Sequence, residues 1–138
     1  MSNDDERAAL AQAVERVGDR WSLLLVHALL DGPARFGELE ERLNGISPNV
    51  LSQRLKQLEG DGLVLATPYQ DRPVRHEYEL TESGRDLEGA LRLLAQWGQG
   101  EEAPAIIHEA CGTPADARWW CPTCEREVSD ETTRLAHL

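Results

Sequence analysis

No stretch of this chain is apolar for long enough to cross a bilayer. The longest such run, Trp21 to Leu30, is interrupted by Ser22 and His27, and a helical span needs about 20 residues. The first residues, Met1-Ser-Asn-Asp-Asp-Glu, are acidic with no apolar segment behind them, which is not how a secretory signal begins. Cysteine is absent until Cys111; the three that follow, Cys111, Cys121 and Cys124, form one cluster. An odd set, clustered as metal ligands would be, fits a reducing cytoplasm better than a disulfide framework. No paired-carboxylate motif, nucleophile elbow or phosphate-binding loop is present, so nothing supports an enzyme. Internal repeats and low-complexity segments are also missing. Basic residues are scarce: 14 Lys and Arg stand against 25 Asp and Glu, a net charge of −11. Taken alone, that sum argues against a nucleic-acid partner.

The distribution of charge reverses that reading. From Ile46 to Leu58 there is no acidic residue, only Arg54 and Lys56. From Arg72 to His76 the charges are again all basic. Two basic islands therefore sit on an acidic body. The 138 residues suffice for one core of about 100 residues plus an appendage.

Apolar positions Ala9, Leu10, Ala13, Val14 and Val17 have helical spacing and end at Gly18-Asp19. Trp21 to Leu30 is apolar nearly all round, predicting a helix buried on several sides and closed by Asp31-Gly32-Pro33. Phe36, Leu39 and Leu43 mark a short helix ending at Asn44-Gly45. Ser47-Pro48 then offers an N-cap with proline at the first helical position, opening a helix to about Glu59. Leu63 to Thr67 reads as a strand, Tyr69 to Pro73 as a turn, and Val74 to Leu80 as a strand alternating Val74, His76, Tyr78 and Leu80 on one face. Thr81 caps a last helix carrying Leu87, Leu91, Leu94 and Trp97, which Gly98 and Gly100 end. Glu101 to Pro104 forms a hinge. Two helices joined by a tight turn, with a hairpin after the second, make a winged helix-turn-helix.

On the Ser47–Glu59 helix, Leu51, Leu55 and Leu58 would dock on the core. Asn49, Ser52, Gln53 and Lys56 fall opposite, with Arg54 and Gln57 on the flanks. That face holds amides, a hydroxyl and a cation but no carboxylate. Asn and Gln can pair with adenine, and Ser can bond a base edge; Lys56 and Arg54 suit phosphate. Arg72 and Arg75 flank the wing tip, where arginine enters a minor groove or clamps phosphate. Ser47, Asn49, Ser52, Gln53, Arg54, Lys56, Arg72 and Arg75 are thus the candidate contacts to double-stranded DNA. His27 either lines an effector cavity or is packed or at an interface, and the alternation places His76 on the sheet face rather than against DNA beside Arg75.

Four segments, Val17-Gly-Asp-Arg-Trp-Ser-Leu-Leu24, Arg35-Phe-Gly-Glu-Leu39, Gly45-Ile-Ser-Pro-Asn-Val-Leu-Ser-Gln-Arg-Leu55 and Tyr78-Glu-Leu-Thr81, closely resemble the HxlR family of bacterial transcriptional regulators. The resemblance covers roughly residues 6 to 98. It implies a winged-helix DNA-binding homodimer related to MarR-type regulators, with the helices at the two ends of the domain making the dimer. It leaves room for an unidentified small-molecule effector. Several thiol- or aldehyde-responsive members carry a cysteine near the start of the first helix, where this chain has Ala8. A redox switch of that type is therefore not expected.

The last quarter of the chain holds His108-x-x-Cys111-Gly112 and, nine residues on, Cys121-Pro-Thr-Cys124. Two-residue spacing lets two ligands from one turn face one tetrahedral ion, and two such turns complete a Cys3His zinc site. Gly112 suits a turn that needs positive φ. His108, Cys111, Cys121 and Cys124 are the expected ligands of one structural zinc per chain, with His137 as the alternative fourth ligand. Four protein ligands leave no open position, so the site is closed. Trp119-Trp120 would cover this lobe, which is similar to a zinc-ribbon-like extension found in one subgroup of the family.

The expected architecture is thus mainly α with a small β-hairpin: a winged helix-turn-helix over residues 6–100 and a zinc-ribbon-like tail over 104–138. The expected function is sequence-specific transcriptional regulation at a palindromic operator. The competing reading is a protein-interaction module of the transcription machinery with no operator of its own, which the acidic net charge favours.

Overall fold

The computed structural model describes residues 4–136, and His137 lies outside that range. The elements are α1 (Asp4–Val17), α2 (Ser22–Leu29), β1 (Ala34–Arg35), α3 (Phe36–Arg42), α4 (Pro48–Gly60), β2 (Val64–Asp71), β3 (Val74–Leu80), α5 (Glu82–Arg85), α6 (Glu88–Gln99), then β4 (Ile107–His108), β5 (Thr113–Pro114), β6 (Trp119–Cys121) and β7 (Arg126–Val128). A short 3-10 turn, Gly100–Glu102, follows α6, and another, Asp130–Thr132, follows β7. Two compact units result: Ala13–Leu93, and residues 4–12 together with 94–136. Among the described residues no helix is long and apolar enough to cross a membrane.

The Ala13–Leu93 unit owns the hydrophobic core. Leu25, Val26 and Leu29 of α2, Leu39 of α3, and Leu51, Leu55 and Leu58 of α4 are almost wholly buried, joined by Val64 and Leu80 from the sheet. The leucine spacing on α4 puts its three buried side chains on one face, as the 3.6-residue period requires. Residue Ser47 caps α4 as its sequence promised: its hydroxyl accepts the Val50 N–H at 3.2 Å, with Pro48 next in line.

Three antiparallel strands run in the order β1-β3-β2. Strand β1 has only two residues, paired as Ala34↔Tyr78 and Arg35↔Glu77, too few for a period-2 signal to register. Strand β2 continues to Asp71, past the turn expected from Tyr69. Proline is tolerated there because β2 is an edge strand, where a missing N–H leaves no ladder bond unmade. The register slips between Pro68 and Gln70, so Tyr69 is the extra residue of a bulge.

The single helix expected from Thr81 is instead two. Thr81 caps α5 by accepting the Gly84 N–H at 3.2 Å, and its own hydroxyl donates to the Gly62 carbonyl at 2.6 Å. Asp86 and Leu87 interrupt the ladder before α6, which then runs through Gly98 to Gln99. Gly84 sits against the backbone of Leu63, and a Cβ there would collide with the Leu63 carbonyl. Backbone cannot yield as a side-chain tip does. Gly84→Ala is therefore expected to cost about 1–3 kcal/mol, read as a lowered thermal midpoint; an unchanged midpoint would show that α5 shifts freely.

The tail contains two small antiparallel hairpins, β4–β5 and β6–β7. None of its described residues from 103 onward is buried.

Candidate nucleic-acid interface

The exposed side of α4 carries Asn49, Gln53 and Lys56, all open to solvent and opposite the leucine face. Ser52 and Arg54 are half-buried beside it, and Ser47 is exposed at the capping turn. Arg72 and Arg75 are exposed at the tip of the β2–β3 hairpin. Asn49, Gln53 and Lys56 face outward from a helix that follows a tight turn, the place of the recognition helix in a helix-turn-helix, and the two arginines stand on the wing beside it.

Arg54 differs from its expected role as a free phosphate contact. Its Nε lies 3.3 Å from Asp19 Oδ1, and its Nη1 donates to Gln57 Oε1 at 2.9 Å. The Nε–H is buried without a hydrogen-bond partner, so its attraction to Asp19 is one of charge at close range rather than an aligned hydrogen bond. Asp19 also accepts the N–H groups of Trp21 and Ser22 at 2.9 and 3.1 Å, and the Ser22 hydroxyl donates to it. Burial pushes the Asp19 carboxyl up, but those donors and Arg54 outweigh it and hold its pKa below the usual value.

The bulge at Tyr69 adds residues that the sequence pattern did not reveal. The Arg35 guanidinium lies over the Tyr69 ring at 4.0 Å. Phe36, Arg75, His76 and Tyr78 line the same hollow between α3 and the wing. Cation–π contact holds Arg35 beside the wing root, adding a third arginine to that surface. His76 is half-buried with its ring 6.3 Å from that of Tyr78, as the strand alternation required. His27 is exposed on α2 rather than packed within the chain.

In the tail, the turn joining β4 and β5 brings His108 Nδ1 within 3.2 Å of Cys111 Sγ. Gly112 takes φ +70°, as that turn was expected to need. The β6–β7 turn places the Cys124 N–H 3.4 Å from Cys121 Sγ, and Glu125 there has φ +52°. The Thr113 hydroxyl holds the Cys111 thiol below its ordinary pKa, with the Thr113 backbone adding to it. Backbone and thiol of Cys124 do the same for Cys121, and Cys124 is correspondingly raised. Each knuckle thus brings its own two donors close together, and three thiols with an imidazole are a zinc donor set. The two pairs are not drawn together: among the described residues no three His, Cys, Asp or Glu side chains are grouped to hold one metal ion. Trp119 and Trp120 cover little of the lobe, remaining 56% and 61% exposed.

Fold and exposed helix face together define a winged helix-turn-helix protein of the transcription-regulator class. The chain belongs to the HxlR-like helix-turn-helix family, whose model matches residues 16–105. It is 42% identical over 135 residues to an uncharacterised HTH-type transcriptional regulator of Mycobacterium tuberculosis, covering 94% of this chain and 85% of that one. It resembles the reduced form of the regulator YodB from B. subtilis at 34% identity and TM-score 0.59, covering 71% of this chain and 96% of that one. A candidate transcription factor from Pseudomonas aeruginosa matches at 31% identity and TM-score 0.71, covering 92% of this chain and 90% of that one. Coverage of that extent has to include much of the tail.

Proposed function

We propose that this protein is a cytoplasmic homodimer that binds a specific palindromic operator and regulates transcription there. Asn49 and Gln53 read base edges, Ser47 and Ser52 border them, and Lys56, Arg72 and Arg75 meet phosphate. The observation that carries this reading is the exposed Asn49–Gln53–Lys56 surface of α4, in a stretch free of carboxylates from Ile46 to Leu58, on a body of net charge −11. An acidic body repels DNA in general, so the exposed amides must supply most of the discrimination. Residues 6–100 form the DNA-binding and dimerising part in this reading, and 104–138 a tail that one zinc cross-links through His108, Cys111, Cys121 and Cys124. A closed four-ligand zinc supplies structure and no chemistry.

Sequencing the genomic fragments retained by the purified protein tests the operator. A reproducible palindromic sequence supports it; retention of no specific sequence would favour the interaction-module reading instead.

The terminal helices support the dimer. No described residue of α1 is buried, and Leu10 and Val14 are 63% and 54% exposed. On α6, Leu94 and Trp97 are 47% and 81% exposed. Apolar side chains of this size left in water by a single chain mark an interface. Light scattering should report a dimer at micromolar concentration. Trp97→Glu should weaken dimerisation roughly 30-fold or more, as expected for a tryptophan anchor. A wild-type monomer would refute the dimer, and with it two recognition helices about 34 Å apart.

A further inference from the structure

One flank of α4 is tied to the end of α1 and the turn that follows it. Arg54 faces Asp19 at 3.3 Å and donates to Gln57 at 2.9 Å. Gln57 Nε2 reaches the Glu15 carbonyl at 3.5 Å. Arg16 Nη2 donates to the carbonyl of Asp61, the C-cap of α4, at 2.8 Å. Positions 54, 57 and 61 recur at helical spacing, so these links form one stripe. That stripe lies between the leucines facing the core and the Asn49–Gln53–Lys56 face. Apolar packing of Leu51, Leu55 and Leu58 fixes how deeply α4 sits but is non-directional. A polar stripe on one flank is directional, and it resists rotation of α4 about its own axis.

Asp19 is the hub. Its carboxylate holds the start of α2 through two backbone N–H groups and the Ser22 hydroxyl, while its charge engages Arg54. Both side chains are largely shielded, at 27% and 32% exposure, so the attraction is less screened than at an open surface. Arg54 is therefore engaged within the protein before any DNA arrives.

We propose that Asp19 is a positioning residue for DNA reading: through Arg54 and Gln57 it sets the rotation of α4, and so couples any displacement of α1 to the base-reading face. This rests on the operator reading above. A carboxylate near DNA would by charge alone weaken binding to every sequence, and its removal would strengthen it. Removal of a positioning link acts in the opposite direction, and on the operator only. The two accounts thus predict opposite signs for one variant.

Asp19→Asn retains an oxygen that can accept the Trp21 and Ser22 N–H groups while removing the charge that engages Arg54. Titration of the genomically recovered operator and a random duplex of equal length, with active protein counted by stoichiometric titration, should show about tenfold weaker operator binding, the scale of one coupled interaction. Random-duplex affinity should be equal or slightly tighter. Gln57→Ala removes no charge and should shift operator affinity the same way; it decides the matter if Asp19→Asn fails to fold. The double variant Asp19→Asn/Arg54→Gln should lose less than the sum of the single losses. Equal or tighter operator binding by the variant that decides, or equal losses on both duplexes, would overturn the positioning role while leaving the operator reading intact. A wild-type protein that retains no specific fragment would overturn both.

Discussion

Removing the metal from the purified protein is expected to unfold the tail and leave the Ala13–Leu93 unit folded. The physical reason is how little else holds the described tail together: exposed ion pairs of Arg118 with Asp116 and Glu127, and short strand ladders. No described residue from 103 onward is buried, and each hairpin is a two- or three-residue ladder. Isolated two-stranded hairpins are marginal in water, and segments below about 40 residues usually need a disulfide, a metal or oligomerisation. An odd set of three thiols makes a complete disulfide framework impossible, whereas structural zinc contributes about 10–16 kcal/mol in small fingers. Metal analysis should find one zinc per chain under reducing conditions. Chelation should then make the tail protease-sensitive without moving the thermal transition of the core. Cys121→Ser should reproduce that sensitivity, and His108→Ala should do so if His108 rather than His137 is the fourth ligand. Clearly less than one equivalent of zinc, or a tail indifferent to chelation, would remove the metal from this account. The knuckles would then be two separate turns, as the spacing of their side chains already permits.

What the sequence showed clearly were features written in local chemistry. Ser47-Pro48 announced the start of α4, and the capping bond is there. The leucine period separated the core face of that helix from its solvent face, and Leu51, Leu55 and Leu58 are buried accordingly. Strand β3 carried a period-2 pattern and forms over the expected residues. Less legible were features that depend on a distant partner. Strand β1 exists only because Ala34 and Arg35 meet β3. The break between α5 and α6 accompanies the close approach of Gly84 to Leu63, which no helical period records. The same limit governed the site. Exposure of Asn49 and Gln53 followed from the wheel, but the engagement of Arg54 by Asp19, 35 positions earlier, left no trace in local pattern. Neither did the stacking of Arg35 on Tyr69, which depends on a bulge in β2. Asp19 could have been singled out as a cap by its place two residues before Trp21 at the entry to α2; its second role required the fold.

That redistribution of roles sharpens the second large effect, on DNA binding. Gln53→Ala and Asn49→Ala should each cost roughly 1–3 kcal/mol on the operator and little on random duplex, the signature of removing a bidentate bond to a base. Arg72→Ala and Arg75→Ala should weaken binding to both duplexes and reduce the salt dependence by about one unit of slope for each phosphate no longer neutralised. Arg54, expected from sequence to join the phosphate class, should depart from it, because its charge is already engaged by Asp19. Arg54→Gln should therefore act mainly on the operator and leave the salt slope nearly unchanged. Matched titrations of operator and random duplex across salt separate these classes. If Gln53→Ala and Asn49→Ala weaken both duplexes equally while Arg72→Ala and Arg75→Ala weaken only the operator, the assignments of helix and wing are reversed. If Arg54→Gln lowers the slope as Arg72→Ala does, Arg54 leaves Asp19 for phosphate on binding. The acidic body makes the contrast readable: with 25 carboxylates against 14 Lys and Arg, non-specific attraction is weak from the start, and a change at the base-reading amides is not masked by general adhesion to DNA.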